Sequence, residues 1–396
     1  MCRIGIITQV YKPEIGAAQN RLFEMASGLK KYGWQISVIT SMPNYPYGKI
    51  FQDYRGRFFM KEYIDDIEIV RYWLFPSNSK KSIPRLLSWI SFSMTVLIAY
   101  PYIKKKSFDF IIVQSPPLVL GISGLLLSRF SGSKMVLNVS DLWPLTAMEL
   151  GAISEGLLYK SLKLIEKHLY SKSFICLGQS NEIISHMVSH GARKTFLFRN
   201  GVNPESFKQY LDRCNTNKFT IIYAGLLGVA QGIVDICRNI NFKTLNVEFH
   251  IYGAGPEQME LEQFLALHPD RGVFFHGQVS KDEIPAILCK HSVALIPLIK
   301  YIYGAVPSKI YESMAAGLPI LFLGDGEAKS IIEEFGIGWT FHPRDYESLK
   351  SNIQHISTDN NELRLKKQNC LEAANSVFNR AIQIKNLHLH LKTYLS

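Results

Sequence analysis

The chain has 396 residues, enough for two domains of ordinary size, and its composition of 47% hydrophobic and 19% charged residues excludes a largely disordered or fibrous protein. The formal net charge of +11 favours an anionic partner. No basic run is interleaved with surface aromatic residues, so we expect no nucleic-acid binding. The six cysteines have no zinc-ligand spacing and form no redox motif.

Short apolar strands alternate with helical patterns in the first half of the chain. The sequence opens on a strand at residues 3–8 without an apolar leader, so we expect no signal peptide and a cytoplasmic location. A helix over residues 17–32 follows, with apolar side chains at helical spacing. The same patterns predict strands at residues 35–40, 110–114, 134–139, 174–177 and 195–198, and helices at residues 118–130, 157–170 and 181–189.

The alternation starts again after a polar stretch at residues 203–218, which predicts a linker. Continuous apolar strands are typical of parallel sheets covered on both faces, and repeated β-α-β units predict doubly wound α/β topology. We therefore expect two Rossmann-like domains facing a cleft: residues 1–200, to which residues 379–396 cross back, and residues 201–378. The second-half predictions are strands at residues 219–223, 247–252, 273–276, 293–296 and 320–323, and helices at residues 228–239, 309–316 and from 362 to the C-terminus.

Residues 86–103 form an uncharged segment with basic residues at both ends. Its 18 residues lie at the lower limit for spanning a bilayer, and Pro101 is expected to break it. Three interpretations stay open: an interfacial helix with Trp89, Phe92 and Tyr100 at headgroup depth, an ordinary buried helix, or a true span. The flanking basic stretches, which include Lys80 and Lys81, favour an anionic surface.

Ligands of doubly wound sheets bind beyond the carboxyl ends of the strands, which directs attention to the loops there. In the first half, Gly16 opens the first helix and allows close approach of an anion, unless this loop is a plain turn. Asp141 follows the strand at 134–139 and can orient or deprotonate a hydroxyl, or simply cap the turn before Pro144. Arg199 ends the first domain and can meet a phosphate, or be an ordinary exposed arginine.

Glycines dominate the corresponding loops of the second half. The loop at residues 225–232 can hold a phosphate with backbone N–H groups, but it contains no lysine or arginine. It is not the three-glycine dinucleotide fingerprint, so no nicotinamide cofactor is expected. The candidate donor-binding residues of these loops are Gly225, Gly228, Gly253, Gly277 and Val279.

The segment from Gly304 to Gly317 carries the most specific pattern. Ser308 is a natural helix N-cap, and Gly317 can end the helix. Lys309 sits in the first turn, where a cation opposes the helix dipole unless a phosphate is bound. Lys309 and Glu312 share a helix face, so one can reach a phosphate while the other accepts hydrogen bonds from a ribose. The alternative is a simple surface ion pair.

These motifs, taken together, resemble the family-4 retaining glycosyltransferases of the GT-B fold over nearly the whole length of the chain. The resemblance implies a UDP-sugar donor, no divalent metal, Lys309 and Glu312 as catalytic residues together with Asp141, and no cofactor. The segment after residue 140 and the Pro307-Ser308-Lys309 motif are similar to bacterial N-acetyl-L-fucosamine transferases of surface-polysaccharide synthesis. That similarity implies a polyprenyl-diphosphate-linked acceptor and peripheral attachment to the inner face of the cytoplasmic membrane.

Two departures from the family pattern affect the donor site. Gly304 replaces the first of two family glutamates, so the resemblance implies sugar contacts from backbone groups of Gly304, Ala305 and Val306. Leu226 and Gln231 replace an arginine and a lysine of the glycine-rich loop. Lys309 and Arg199 are then the expected cations for the diphosphate. A sugar-nucleotide epimerase of the same fold and a non-catalytic nucleotide-sugar-binding membrane scaffold remain alternatives.

Overall fold

The structure is a computed structural model that describes residues 2–79, 82–213 and 218–395. Lys80 and Lys81 of the basic stretch, and residues 214–217 of the predicted linker, lie outside these ranges. The chain forms two compact units: Met1–Arg199 with Ile384–Ser396, and Asn200–Gln383. The sequence analysis placed the return to the first unit at residue 379, five residues before this boundary.

The first unit is built on an eight-stranded sheet in the order β3-β4-β2-β1-β5-β6-β7-β8. Every neighbouring pair is parallel except β3 and β4, which form an antiparallel edge. Its strands are β1 (Arg3–Ile7), β2 (Gln35–Ser41), β3 (Phe59–Ile64), β4 (Ile67–Tyr72), β5 (Phe110–Ser115), β6 (Lys134–Val139), β7 (Ile175–Gly178) and β8 (Thr195–Leu197).

α-Helices connect these parallel strands, except between β2 and β4, where the edge strand β3 intervenes. They are α1 (Ala17–Lys31), α2 (Ser82–Thr95), α3 (Tyr100–Lys106), α4 (Leu118–Ser131), α5 (Leu145–Glu149), α6 (Leu157–Lys172) and α7 (Asn181–Ser189). The central strands are buried along almost their whole length, which is why they appear in the sequence as uninterrupted apolar runs.

The second unit has a six-stranded, all-parallel sheet in the order β11-β10-β9-β12-β13-β14. Its strands are β9 (Thr220–Ala224), β10 (Glu248–Tyr252), β11 (Val273–Phe275), β12 (Val293–Pro297), β13 (Ile320–Leu323) and β14 (Gly338–Phe341). Its helices are α8 (Ile233–Asn239), α9 (Gln258–Leu267), α10 (Ile284–Leu288), α11 (Lys309–Ala315), α12 (Glu327–Glu334), α13 (Tyr346–Ile356) and α14 (Asn360–Asn375). These sheets confirm the prediction of a two-domain α/β protein with Rossmann-like domains.

The C-terminal region differs from the single long helix that the sequence predicted. Helix α14 ends at Asn375, and a second helix, α15 (Arg380–Lys392), begins after a short break. Helix α15 starts in the second unit and continues into the first, where Ile384, Leu387 and Leu391 join the apolar core. The Trp34 indole donates a hydrogen bond of 2.8 Å to His388 Nδ1, which fixes the helix on this unit.

Two further predictions about loops are corrected by the structure. The predicted linker contains short 3-10 helices at Pro204–Ser206 and Lys208–Arg213, and Phe207 between them is buried in the core of the second unit. The helix predicted to begin at residue 228 begins at Ile233, so the glycine-rich loop is longer than expected.

The apolar segment at 86–103 is helical throughout and is not broken by Pro101. Helix α2 passes through a 3-10 turn at Val96–Ala99 into α3, whose first turn accommodates Pro101. Residues Ile83–Lys106 meet the length and apolarity of a membrane span, a criterion that core helices also meet. Phe92 is fully buried, so the prediction that it lies at headgroup depth is wrong, whereas Tyr100 is exposed.

Candidate active site

Two glycine-rich loops pack backbone against backbone at the carboxyl edge of the second sheet. Gly225 N–H donates to the Tyr252 carbonyl at 2.8 Å, and Leu227 N–H donates to the Ala254 carbonyl at 3.0 Å. A Cβ atom on Gly253, at φ +146°, would lie 1.8 Å from the Gly225 carbonyl oxygen. These glycines therefore allow the loops to approach each other, and two of the N–H groups expected to face a phosphate already have protein partners.

Lys309 lies across the first of these loops. Its Nζ donates a hydrogen bond of 3.3 Å to the Tyr223 hydroxyl and sits 4.8 Å from the Tyr223 ring centroid. A Cβ atom on Gly225 would lie 2.0 Å from Lys309 Cε, so this glycine leaves room for the lysine stem. Burial lowers the pKa of Lys309 to about 8, partly offset by the charge of Glu312. The site thus holds a poorly solvated cation beside a glycine-rich loop.

Glu312 is one turn from Lys309 and is half-buried. Its carboxylate has no hydrogen-bond or ion-pair partner among the described residues, which excludes the surface Lys–Glu pair considered as the alternative. Burial raises the pKa of this carboxyl, and the charges of Lys281 and Lys309 act in the opposite direction. A half-buried carboxylate without a protein donor is suited to accept hydrogen bonds from a ligand.

Some predicted features of the segment from Gly304 to Gly317 are present in the structure and others are not. Ser308 occupies the N-cap position of α11, but its hydroxyl makes no capping hydrogen bond. Gly317, at φ +61°, follows the end of the helix as predicted. Gly304, at φ +82°, is buried, and Ala305 and Val306 are half-buried beside it. Helices α8 and α11 have seven residues each, so the dipole contribution expected at their N-termini is small and the Lys309 side chain carries the charge.

The loop after β11 joins the same edge. Gly277, at φ +71°, accepts a hydrogen bond of 2.7 Å from Gly253 N–H, and Val279 lies two residues further on. Next to this loop, His276 Nε2 lies 2.9 Å from His250 Nδ1. His291 lies beside this pair, with its ring centroid 4.9 Å from that of His250, and burial lowers its pKa to about 3. The sequence analysis named Gly277 and Val279 but missed the histidine cluster.

Asp141 lies at the carboxyl edge of the first sheet, in a different unit. It remains accessible to solvent, although surrounding protein atoms raise the pKa of its carboxyl against the opposing effects of Arg21 and a hydrogen bond from Ser140 at 3.3 Å. Behind it, Gln114 Nε2 donates to Ser140 Oγ at 2.8 Å, and Asn138 Nδ2 donates to Gln114 Oε1 at 2.7 Å. This network fixes the loop that carries Asp141.

The first loop of this unit is held by buried ions. Arg71 is fully buried and donates to the Glu62 carboxylate, to the Ser41 carbonyl at 3.0 Å and to the Lys12 carbonyl. The buried Glu14 carboxylate accepts from the backbone N–H groups of Tyr11, Asn44 and Tyr45. The sequence analysis missed these charged residues because their hydrogen-bond partners lie in loops that are distant in sequence.

Gly16 and Arg199 belong to this first unit, whereas the other candidate donor-binding residues belong to the second. Gly16 precedes α1 in extended backbone, at φ 174°, with the Gln19 side chain close to it. Arg199 is half-buried and ends the first of the two chain segments that form its unit. The structure therefore brings Gly225, Lys309 and Glu312 together at one sheet edge and places Gly16, Asp141 and Arg199 on the other unit.

Comparison with known proteins indicates which class of enzyme the chain resembles. Residues 207–374 match the family described as Glycosyl transferases group 1. The chain is 24% identical over 366 residues to the putative colanic acid biosynthesis glycosyl transferase WcaI of Escherichia coli (strain K12), covering 87% of this chain and 89% of that protein. It is 26% identical over 263 residues to the probable glycosyltransferase WbjE of Pseudomonas aeruginosa, covering 63% and 66%.

A solved structure shares the fold over the whole chain. Anabaena Alr3699/HepE in complex with UDP and glucose matches with a TM-score of 0.69 and 16% identity, covering 99% of this chain and 100% of that one. The family match covers the glycine-rich loops and the Lys309–Glu312 segment described above. The chain is therefore a glycosyltransferase enzyme with the GT-B fold, and its match to the group 1 glycosyltransferases lies within the second unit.

Proposed function

We propose that the chain moves a sugar from a UDP-sugar to a lipid-diphosphate-linked saccharide, with retention at the anomeric carbon, in bacterial surface-polysaccharide synthesis. The observation that carries the proposal is that a half-buried cation, Lys309, and the unpartnered carboxylate of Glu312 lie one helical turn apart beside a glycine-rich loop. A diphosphate and a ribose supply the anion and the hydroxyl donors that these two groups lack.

Each residue has a distinct role in this reaction. Lys309 stabilises the charge that develops on the diphosphate as its bond to the sugar breaks. Asp141 orients the acceptor hydroxyl, whose oxygen forms the new glycosidic bond, and receives its proton or directs it away. Backbone groups of Gly304, Ala305 and Val306 contact the donor sugar, and Glu312 binds the ribose. Arg199 supplies a second cation to the diphosphate.

The names of similar proteins support the choice of substrates. WcaI is described in colanic acid biosynthesis, and the HepE structure holds UDP and glucose. N-acetyl-L-fucosamine is the donor sugar that we favour, on the similarity of the Asp141 and Lys309 segments to transferases of that sugar. The apolar helix Ile83–Lys106 supports peripheral attachment to the inner face of the cytoplasmic membrane.

Calorimetric titration with UDP tests the donor half of this proposal. We expect the wild type to bind UDP and Lys309→Ala to lose about tenfold to a hundredfold in affinity, since a charge-assisted contact is worth about 1.5–3 kcal/mol. Lys243→Ala is the matched control, because Lys243 is exposed and paired with Asp270 at 3.0 Å. Equal UDP binding by wild type and Lys309→Ala would contradict the assignment.

Incubation with UDP-sugars tests the reaction class. We expect UDP-N-acetyl-L-fucosamine and other UDP-sugars to be consumed only when a polyprenyl-diphosphate-linked saccharide is added, and Asp141→Asn to slow transfer without weakening UDP binding. Conversion of the donor without an acceptor would indicate an epimerase instead. Donor binding with no turnover at any acceptor, and no effect of Asp141→Asn, would indicate a binding scaffold.

A further inference from the structure

One sheet edge of the first unit is longer and more open than the other sheet edges of the described chain. Strand β3 has six residues, whereas the other edge strands, β8, β11 and β14, have three, three and four. The β8 edge also lies against the C-terminal region, where the Phe196 ring stacks on His390 with centroids 4.5 Å apart. Proteins usually keep edge strands short or covered, because an open edge can pair with a further strand. Strand addition is therefore expected at β3 rather than at the other edges.

The pairing of β3 with β4 determines which backbone groups of β3 face outwards. A two-residue turn joins the two strands after Ile64, and Trp73 N–H donates to the Phe58 carbonyl at 2.9 Å. Hydrogen-bonded and non-hydrogen-bonded residue pairs alternate along an antiparallel pair. The residues whose N–H and C=O groups point away from β4 are therefore Phe59, Lys61 and Tyr63. No described residue outside the sheet forms a hydrogen bond with these backbone groups.

A second copy of β3 can pair with this edge in a register that uses all of these groups. When a two-fold axis passes beside Lys61, Phe59 of each copy lies opposite Tyr63 of the other, and Lys61 lies opposite Lys61. Each of these three residue pairs can exchange two hydrogen bonds. A shift of two residues in either direction leaves one of the outward-facing residues without its match, so the symmetric register is favoured.

The same register places apolar side chains opposite each other on both faces of the strand. On one face, the exposed rings of Phe59 and Tyr63, which are 52% and 65% accessible, lie opposite each other. On the other face, Phe58, which is 51% accessible, lies opposite the half-buried Ile64. Cross-strand apolar and aromatic pairs stabilise antiparallel sheets, and large exposed side chains gain most from being covered.

The charges at the ends of the strand are also complementary in this register. Arg57 of one copy lies opposite Asp65 of the other. Arg57 is exposed and has no carboxylate partner among the described residues, and Asp65 has one distant contact, with Lys12 Nζ at 3.8 Å. Lys61 lies opposite its own copy, but its ammonium group is already paired with the Glu68 carboxylate. The register therefore adds an attractive pair at each end, and the central like charges are compensated within each chain.

We propose that two copies of the chain associate through β3 and form a two-fold symmetric dimer, in which two eight-stranded sheets become one continuous sheet. This inference goes beyond the proposed function, because neither Lys309 nor Glu312 belongs to the unit that pairs. The interface is self-complementary, so association ends at two copies. The covered β8 edge does not offer a second site for further growth of the sheet.

Light scattering after size-exclusion chromatography, over a series of protein concentrations, tests the dimer. We expect the mass of two chains at high concentration and of one chain on dilution. Lys61→Pro should raise the dissociation constant at least tenfold, because proline lacks the central outward N–H. Proline is tolerated on an edge strand where the N–H faces away from the sheet, and circular dichroism checks that the variant folds.

A charge-reversal series tests the register without changing the backbone. Arg57→Glu should raise the dissociation constant of the dimer about tenfold, since the two-fold axis repeats the repulsion with Asp65 at both ends of the strand. Addition of Asp65→Lys should restore most of the affinity. Arg193→Glu is the matched control, because Arg193 is exposed and precedes β8 at the opposite edge of the same sheet.

Hydrogen exchange resolved by residue tests the pairing directly. The amides of Phe59, Lys61 and Tyr63 should exchange more slowly as the protein concentration rises. The amides of Met60 and Glu62 already face β4, so their exchange should depend much less on concentration.

Three results would overturn the proposal. The first is a chain that stays monomeric at the concentrations used for hydrogen exchange, which would leave β3 open to a segment of another protein. The second is a dimer that neither Lys61→Pro nor Arg57→Glu weakens, which would require a different surface. The third is association that continues beyond two copies. None of these results depends on whether the chain binds UDP.

Discussion

The two units hold the loops at their carboxyl edges by different means. In the first unit, the buried side-chain ions Arg71 and Glu14 connect the loops after β1 and β2. In the second, the loops after β9 and β10 are in direct backbone contact, which Gly225 and Gly253 make possible. Two domains of similar topology can therefore stabilise their loops differently, the first through buried charged side chains and the second through close backbone contact. We expect different substitutions to destabilise the two units.

The largest effect is expected from Arg71→Met. Loss of the guanidinium leaves the Glu62 carboxylate and two loop carbonyls without their donor, and breaking a buried ion pair costs about 3–5 kcal/mol. Chemical denaturation should show a loss of this size in the first unit. UDP affinity should fall much less than it does in Lys309→Ala, because Lys309 and Glu312 lie in the second unit. A loss below about 1 kcal/mol would contradict the role of Arg71.

Gly253→Ala should have the next largest effect. The added Cβ meets the Gly225 carbonyl at 1.8 Å, so the two glycine-rich loops must separate. We expect about 2–4 kcal/mol of destabilisation in the second unit and a loss of UDP binding. Gly277→Ala is the control, because it also has positive φ but has open space at its Cβ position. It should cost about 1–2 kcal/mol at most.

The two units should also differ in their response to acid. His291, beside His250, His276 and Lys290, has a folded pKa of about 3 against 6.5 in the unfolded chain, so its contribution to stability is complete above pH 6.5 and is lost as the pH falls towards 3. About 1 kcal/mol should be lost by pH 5.5. Denaturation midpoints of wild type and His291→Asn between pH 7.5 and 5 measure this loss. His355→Asn, at an exposed histidine of the same unit, is the matched control for the substitution itself.

In the first unit, the contribution of Glu68 to stability is lost in the same direction of pH change but in a more acidic range. Hydrogen bonds from Lys106 and Lys61 outweigh the effect of burial and lower its pKa to about 2. Its contribution is therefore complete above pH 4.5 and is lost only as the pH falls from there towards 2. Between pH 7.5 and 5 the Glu68→Gln variant should parallel the wild type, and a changed slope in that window would contradict this difference between the units.

The smallest effect is expected from Tyr223→Phe. Lys309 loses the hydroxyl that accepts its hydrogen bond, and we expect UDP affinity to fall about threefold to tenfold through misplacement of Lys309. Tyr346→Phe is a matched control in the same unit, because the Tyr346 hydroxyl is buried without a hydrogen-bond partner. A similar loss of affinity in both variants would mean that Tyr223 does not position Lys309.

The sequence predicted the central strands of both sheets because each is a continuous apolar run bounded by a loop. It missed β3 and β14, which lie at sheet edges, where the apolar pattern weakens. It also missed β4, whose buried Glu68 and Arg71 interrupt the apolar run. The Lys309–Glu312 segment was recognisable because both side chains lie within one helical turn. Tyr223, by contrast, meets Lys309 across 86 residues of sequence, and no local pattern reports such a contact.

Burial was the other quantity that the sequence did not supply. Phe92 and Ile98 have similar apolar side chains in the same helix, yet one is fully buried and the other is 55% exposed. Tertiary packing decides which face of a helix is buried against the rest of the domain. The exposed face of this helix could therefore be identified only from the folded chain.

The path of α15 has a consequence for synthesis on the ribosome. The first unit emerges first, but Ile384, Leu387 and Leu391 reach its core only when the last residues have been translated. Until then, the apolar surface around Trp34 that α15 covers stays exposed to solvent. The second unit, by contrast, can already fold at this stage. Premature termination shortly before Ile384 would therefore damage the N-terminal half of the protein rather than the half that is cut.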